Sequence, residues 1–433
     1  MKFKETLTKQ FFLIKKNKNI TDLISNYISV FILGFTRIIL NIIIAKFYSP
    51  SILGIFNQSL TLYFLISFIG SWGINYSVLE SIPKVENNKK EIESIILGSI
   101  ISTLLCSFII TFIYSNLIDK IAIIFNSENL KKGLFSIIPA IFFGSFNKVF
   151  LFGILNGLRR MKEFAIFQSL RYLIILLGLF IFINIPIEGC YLPIIVSFSE
   201  IIIFLIMLYK IITKIIFLYS KNFFRWSYRH LVFGTKAVFT GFLSEANTKV
   251  DVLMIGFLLS DKDVGIYSFA SLYIEGFITL IKVMQNIYNP VFSKIAIQKN
   301  INKVNKLTTK IKNTSYFLSI IIAIFLIFFY FLFIKLIISN QIYLESFEPF
   351  LILISGITLC SGYLPFFEIF SMAKFPVLNS LFFVSFFLLN FSGNLILIPN
   401  LGINGAALAT VFSYIFSSYI LSFLSKKFLK IYI

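Results

Sequence analysis

The chain has 433 residues, 58% hydrophobic and only 13% charged, with a mean hydropathy of +0.90. An ordinary soluble globule, with about 25% charged residues, is excluded. The net charge of +20 does not point to nucleic acid, because the basic residues form no Arg/Gly/aromatic tract and fall in short clusters between apolar stretches, the pattern that orients membrane proteins.

The N-terminal 20 residues are basic, and their apolar run, Phe11–Ile14, is too short for a signal-peptide core. They read as a retained cytoplasmic arm. Apolar spans of helical length follow at 23–46, 54–79, 94–115, 133–156, 164–184, 190–210, 231–260, 264–290, 313–338, 350–372, 376–398 and 403–424. Twelve transmembrane helices are therefore expected. Of the 39 lysines and arginines, 27 lie on one alternating set of connections and the arm, and 6 on the other, which places both termini in the cytoplasm. The outer connections are too short to hold a separate domain. Two basic connections, 211–230 with Arg225, Trp226 and Arg229, and 293–312 with Ile297, Ile301, Val304 and Ile311 on one face, read as anchors lying in the headgroup region.

The halves repeat. Ser49-Pro-Ser-Ile-Leu-Gly54-Ile55-Phe56 aligns with Ser260-Asp-Lys-Asp-Val-Gly265-Ile266-Tyr267, and Ile185-Pro186-Ile-Glu-Gly189 with Ile398-Pro399-Asn-Leu-Gly402. The expected fold is thus an all-α integral membrane protein. Its two six-helix bundles, 21–210 and 231–433, would be joined by an amphipathic linker at 211–230, run in parallel and surround a central cavity.

Ionisable residues inside spans mark the chemistry. They are Arg37, Lys148, Arg171, Glu200, Lys236, Glu245, Lys249, Asp251, Glu275, Lys282 and Glu368. Leaving all of them to lipid would cost ~30 kcal/mol, so most must face protein or a polar cavity. Glu245 and Lys249 share a helical face in the favourable order, and Glu275 and Lys282 share a stripe. In the first half three cations meet one acid, Glu200. In the second, Lys236, Lys249 and Lys282 meet four acids. The cationic excess suits an anion such as pyrophosphate, to be met by Arg37, Lys148, Arg171 and Lys249. Glu245, Asp251 and Glu275 are assigned either to a coupling ion, H⁺ or Na⁺, or to structural pairing. Cys106, Cys190 and Cys360 lie far apart, so no metal or disulfide framework is expected. The single histidine, His230, has no Ser/His/Asp partners, and Walker and GxGxxG loops are lacking. No enzyme activity and no cofactor are expected. Gly393, Gly402 and Gly405 read as helix-packing residues.

Three regions carry a resemblance. They are 37–83, with Leu53-Gly54-Ile55-Phe56 and Gly73-Ile74-Asn75; 249–276, with Asp251-Val-Leu-Met-Ile-Gly256; and 394–414, with Asn394-Leu-Ile-Leu-Ile-Pro399-Asn-Leu-Gly402-Ile-Asn-Gly405-Ala406-Ala407. They resemble the Wzx-type polysaccharide flippases, which belong to the same MOP superfamily as the MATE drug antiporters. Residues 47–50, Phe-Tyr-Ser-Pro, depart from that family's opening phrase. The resemblance implies a flippase that moves an undecaprenyl-pyrophosphate-linked oligosaccharide across the bacterial cytoplasmic (inner) membrane by alternating access, for lipopolysaccharide or capsule biosynthesis. Its partners would be the lipid-linked oligosaccharide, the membrane, H⁺ or Na⁺, and unidentified glycan-polymerisation proteins. The rival readings are a MATE-like drug or cation antiporter and a multi-span enzyme of glycan assembly.

Overall fold

The computed structural model describes residues 18–214, 222–297, 301–338, 341–373 and 375–433. The first 17 residues of the basic arm, residues 215–221 of the linker and Lys374 lie outside them. Among the described residues the secondary structure is helical throughout. The helices are α1 (Lys18–Phe47), α2 (Pro50–Gly70), α3 (Ile74–Ser81), α4 (Lys89–Ile124), α5 (Glu128–Ser136), α6 (Ile138–Lys148), α7 (Met161–Ile183) and α8 (Ile194–Lys214). They are followed by α9 (Phe223–Asn247), α10 (Val250–Leu258), α11 (Asp261–Ile297), α12 (Ile301–Phe333), α13 (Phe347–Cys360) and α14 (Pro376–Leu424).

Breaks fall where backbone chemistry requires them. Pro50 opens α2 and disfavours helical geometry at Ser49, whose hydroxyl accepts from the Ile52 amide. Between α2 and α3, Gly73 takes a left-handed conformation (φ 65°). Gly402, at φ 58° and ψ −139°, folds α14 sharply within its length. A Cβ on Gly405 would lie 2.2 Å from the Leu397 carbonyl oxygen, so this sharp bend needs glycine on both counts.

Nine helical stretches among the described residues are long and apolar enough to cross a membrane. The last, Val377–Leu429, contains two of the twelve expected spans, one on each side of Gly402. Helix α1 and the α9–α10 pair occupy the remaining two expected positions. On α12 the residues Phe317, Ile324, Phe325 and Phe328 are exposed, as a lipid-facing helix requires.

The chain groups into two compact units. Unit 1 takes the chain to Leu40, Leu62–Ile121 and Lys131–Gly241; unit 2 takes Asn41–Thr61, Ala122–Leu130 and Phe242–Ile433. These units do not coincide with the contiguous division at 21–210 and 231–433. The core of unit 1 gathers Ile74, Val78, Phe146, Phe150, Met207 and Trp226. Within unit 2, the start of α2 crosses the start of α11 at very close range. A Cβ on Gly54 would lie 1.8 Å from the Asp261 carbonyl oxygen, and one on Gly265 would lie 1.9 Å from that of Pro50. These are the two glycines aligned by the repeat, so the two copies of the motif meet each other glycine to glycine. Gln58 Nε2 and Ser127 Oγ donate to the Asp261 carboxylate at 2.7 and 2.5 Å beside this crossing.

Three of the apolar residues expected at the membrane surface are buried in protein, while residues 215–221 and the side chains of Ile297 and Ile301 lie outside the described residues. Trp226 is buried in unit 1, where its indole N–H donates to Glu91 Oε1 at 2.6 Å, although Phe224 and Tyr228 are exposed. Residues 301–312 are the first turns of α12 itself. Val304 and Ile311 are buried, and Asn305 and Thr308 bond the backbone of Tyr432. Val304 and Ile311 are thus covered by protein, which a sequence reading of one helix face cannot distinguish from membrane.

Two glycines of α11 supply a test. Gly276→Ala meets nothing within 4 Å and removes a poor helix former, so it should leave the melting temperature unchanged or raise it. Gly265→Ala should lower stability by about 3 kcal/mol through overpacking, read as a drop in melting temperature of the detergent-purified protein. Equal behaviour of the two variants would refute the close crossing.

Candidate functional site

Unit 1 holds a buried polar network at mid-span. Glu200 on α8 and Arg171 on α7 form an ion pair, Nε to Oε1 at 3.0 Å, with both side chains almost fully buried. Tyr63 OH from α2 donates to Glu200 Oε1 at 2.8 Å, and Asn147 Nδ2 from α6 donates to Oε2 at 2.7 Å. The Ser199 hydroxyl donates to the Arg171 carbonyl and ties α8 to α7. Glycine makes this proximity feasible, because a Cβ on Gly144 would strike the Tyr63 ring.

Lys148 follows Asn147 and is half-buried. Its ammonium donates to the Phe64 carbonyl at 3.0 Å and lies 4.8 Å from the centre of the Phe68 ring. It closes α6, and the chain continues directly as a π-helix over Val149–Leu155. Such wider turns are frequent at functional positions of helices. Arg37 is half-buried midway along α1. The structure therefore joins Arg171 to Glu200 and places Lys148 beside the same α2 turn. Both cations were selected from sequence.

Unit 2 carries a second network. Helix α9 ends at Asn247, and Lys249 sits in the break before α10 with φ −126° and ψ −9°. The expected Glu245–Lys249 pairing is corrected by this break, because one-turn spacing requires a continuous helix. Lys249 Nζ instead meets Glu275 Oε1 on α11 at 2.8 Å. Glu245 stays half-buried in the last turn of α9. Glu275 and Glu368 both lie within electrostatic reach of Lys282. Lys236, counted from sequence among the intramembrane charges, is exposed.

Asp251, buried on α10, accepts hydrogen bonds from four neutral side chains. Asn390 and Asn394 donate to Oδ1 at 3.0 and 2.9 Å, and Tyr267 and Thr410 to Oδ2 at 3.0 and 2.6 Å. Asn390 and Asn394 are one helical turn apart on α14, and Thr410 returns beyond the bend at Gly402. With one carboxylate and several amide and hydroxyl oxygens, this set has the chemistry to hold a proton or a monovalent hard cation. Among the described residues no group of three or more His, Cys, Asp or Glu side chains could hold a metal ion.

The neutral members, Tyr63, Asn147, Tyr267, Asn390 and Thr410, were not selected from sequence. A one-turn Asn390/Asn394 spacing inside an apolar span was the available signal. His230 is buried, with Nε2 donating to the Ile95 carbonyl at 3.1 Å and Nδ1 accepting from the Ser77 hydroxyl at 2.8 Å. It joins α9 to α3 and α4 as a structural cross-tie.

Helices that bury charged and amide groups at mid-span while presenting apolar side chains outward define a multi-pass membrane protein. The polysaccharide biosynthesis protein family model matches residues 17–296, and the chain belongs to that family. No curated protein matches it. Among solved structures it resembles lipid II flippase MurJ in an inward closed conformation, with TM-score 0.77 and 19% identity over 94% of this chain and 87% of that one. It also resembles an inward-facing multidrug resistance MATE family transporter of the MOP superfamily, with TM-score 0.79 and 14% identity over 92% and 94%. A MOP superfamily transporter from Pyrococcus furiosus, described as having a binding pocket of reverse polarity, matches with TM-score 0.67 and 14% identity over 94% and 95%. At these identities the likeness is one of fold: the chain has the helical architecture of MOP transporters.

The Asp251 network predicts a cost for removing a single donor. Thr410→Val keeps the shape but deprives a buried carboxylate oxygen of its 2.6 Å partner, and should destabilise the protein by about 1–3 kcal/mol. Thermal unfolding in detergent measures this. An unchanged midpoint would mean that Thr410 does not hold Asp251.

Proposed function

We propose that the protein is a flippase that carries an undecaprenyl-pyrophosphate-linked oligosaccharide from the cytoplasmic to the outer leaflet of the bacterial inner membrane, with both termini cytoplasmic. The observation that carries the reading is the placing of Lys148 and the Arg171–Glu200 pair at mid-span in a chain of the polysaccharide biosynthesis family. Cationic side chains at that depth suit a transported group that is itself anionic. The glycan and pyrophosphate pass through the protein while the polyprenyl tail stays in lipid. Arg37, Lys148 and Arg171 of unit 1 offset the desolvation of the anion. Lys249, the fourth cation of the reading, is paired with Glu275 within unit 2. With the cytoplasm negative, outward movement of each negative charge gains about 2.3 kcal/mol per 100 mV. The chemistry lies in moving a charge between leaflets, with no covalent step.

Asp251 is the residue that we assign to a coupling ion. A carboxylate surrounded by neutral donors can take up H⁺ or Na⁺ without breaking an ion pair, and the amides of Asn390 and Asn394 can turn their oxygens toward a cation. The oxygen of the Asn394 amide is buried and lacks a hydrogen-bond partner among the described residues, which favours such a turn. The same observation favours a second reading, a MATE-like cation antiporter, in which Asp251 meets the exchanged ion and the cargo is a small molecule.

Deletion in the native host should make lipid-linked oligosaccharide accumulate on the cytoplasmic leaflet, measured by leaflet-selective labelling. Arg37→Ala and Lys148→Ala should each reproduce that accumulation while the proteins melt at the wild-type temperature. Folded, fully active variants at both positions would remove the anion-carrying role. Normal oligosaccharide export together with drug hypersensitivity in the deletion strain would instead select the antiporter.

A further inference from the structure

The Arg171–Glu200 pair is unequal in its supports. Glu200 is held by Tyr63 from α2 and Asn147 from α6 in addition to Arg171, and the Asn147 amide also donates to the Glu200 carbonyl at 2.9 Å. Arg171 has five N–H donors, and its only charged partner among the described residues is Glu200. Its Nε and Nη2 atoms are buried without a well-formed hydrogen bond among the described residues. The carboxylate would keep the hydrogen bonds of Tyr63 and Asn147 if the guanidinium left. The guanidinium, more than nine-tenths buried, could leave only for another anion.

We infer that Glu200 is the resting occupant of Arg171, and that a phosphate group of the substrate displaces it and takes the guanidinium. This rests on the anionic-substrate reading above and names how the site is held empty and then filled. Exchange keeps the Arg171 guanidinium paired with an anion at both stages and leaves Glu200 its two neutral donors. Before substrate arrives, Arg171 is neutralised by Glu200; afterwards it is neutralised by phosphate, whose oxygens match the planar fork of donors. Glu200 then keeps Tyr63 and Asn147. Lys148, next in sequence to Asn147 and bonded to the residue after Tyr63, stands beside the same turn of α2. Glu200 is therefore a positioning and specificity-setting residue. An uncharged or cationic cargo cannot compete it away from Arg171. Release of the phosphate is helped by the carboxylate that waits to return.

The exchange gives affinity changes of opposite sign that a merely structural pair would not. The full-length protein, in nanodiscs of zwitterionic phosphatidylcholine, is titrated with a short-chain polyprenyl pyrophosphate by calorimetry. Glu200→Gln removes the competitor and should tighten binding about tenfold, while Arg171→Lys, which keeps charge but loses the fork, should weaken it about tenfold. Tyr63→Phe takes a neutral donor from Glu200, strengthens its hold on Arg171 and should weaken binding about threefold. Unchanged or weaker binding by folded Glu200→Gln overturns the exchange. Should that variant not fold, Tyr63→Phe decides: unchanged or tighter binding overturns it. Wild-type protein that binds the pyrophosphate while Arg171→Lys is indifferent removes the exchange alone. Wild-type protein that binds none removes the anionic-substrate reading as well.

Discussion

A charge at membrane depth must be matched from within the fold, because the lipid around it offers neither water nor counter-ion. That requirement accounts for the networks of both units. In unit 1 it draws α2, α6, α7 and α8 together around Glu200 and Arg171. In unit 2 it draws α10, α11 and α14 around Asp251. Each network is a point at which separate helices converge through hydrogen bonds, whereas apolar contact dominates elsewhere. The two differ in kind. Glu200 is balanced by a full positive charge, and the four side chains that donate to Asp251 are neutral. A pair can part only by exchange with another ion; a carboxylate among neutral donors can simply gain one.

Close backbone approach is the second constraint, and it is met by glycine where the chain needs it. The crossing of Gly54 and Gly265 brings two copies of one repeated motif against each other with no space for a methyl group on either. Gly402 turns α14 back so that Thr410 reaches the carboxylate already bonded by Asn390 and Asn394. The second network therefore depends on a backbone angle that a residue with a Cβ rarely adopts. In unit 1, Gly144 has the corresponding task against the Tyr63 ring. Packing and polar chemistry are set by the same few small residues.

The comparisons and the chemistry support each other at different levels. Membership of the polysaccharide biosynthesis family and likeness to the MOP transporter fold give the family and the architecture of the chain. The mid-span cations describe what sort of cargo would suit it. The membrane class itself follows from a plain excess of exposed apolar side chains on helices such as α12, which only lipid could cover.

Apolar span length, the asymmetry of lysine and arginine, the internal repeat and the list of intramembrane charges were legible in the chain as written, because each depends on local composition or on counting along it. Arg171, Lys148, Lys249 and Asp251 were selected for that reason. Partnership was not legible. The break after Asn247 turned Lys249 from Glu245 to Glu275, and Trp226 and the Val304–Ile311 stripe found protein where a membrane surface had been expected. Tyr63, Asn147, Asn390 and Thr410 gain importance only from what they face, since neutral polar residues are unremarkable inside a span. Sequence alone determined that charges had to be buried, since their cost in lipid is a property of each residue. Tertiary structure decided which groups meet them, because hydrogen bonds and ion pairs act over a few ångströms between residues far apart along the chain.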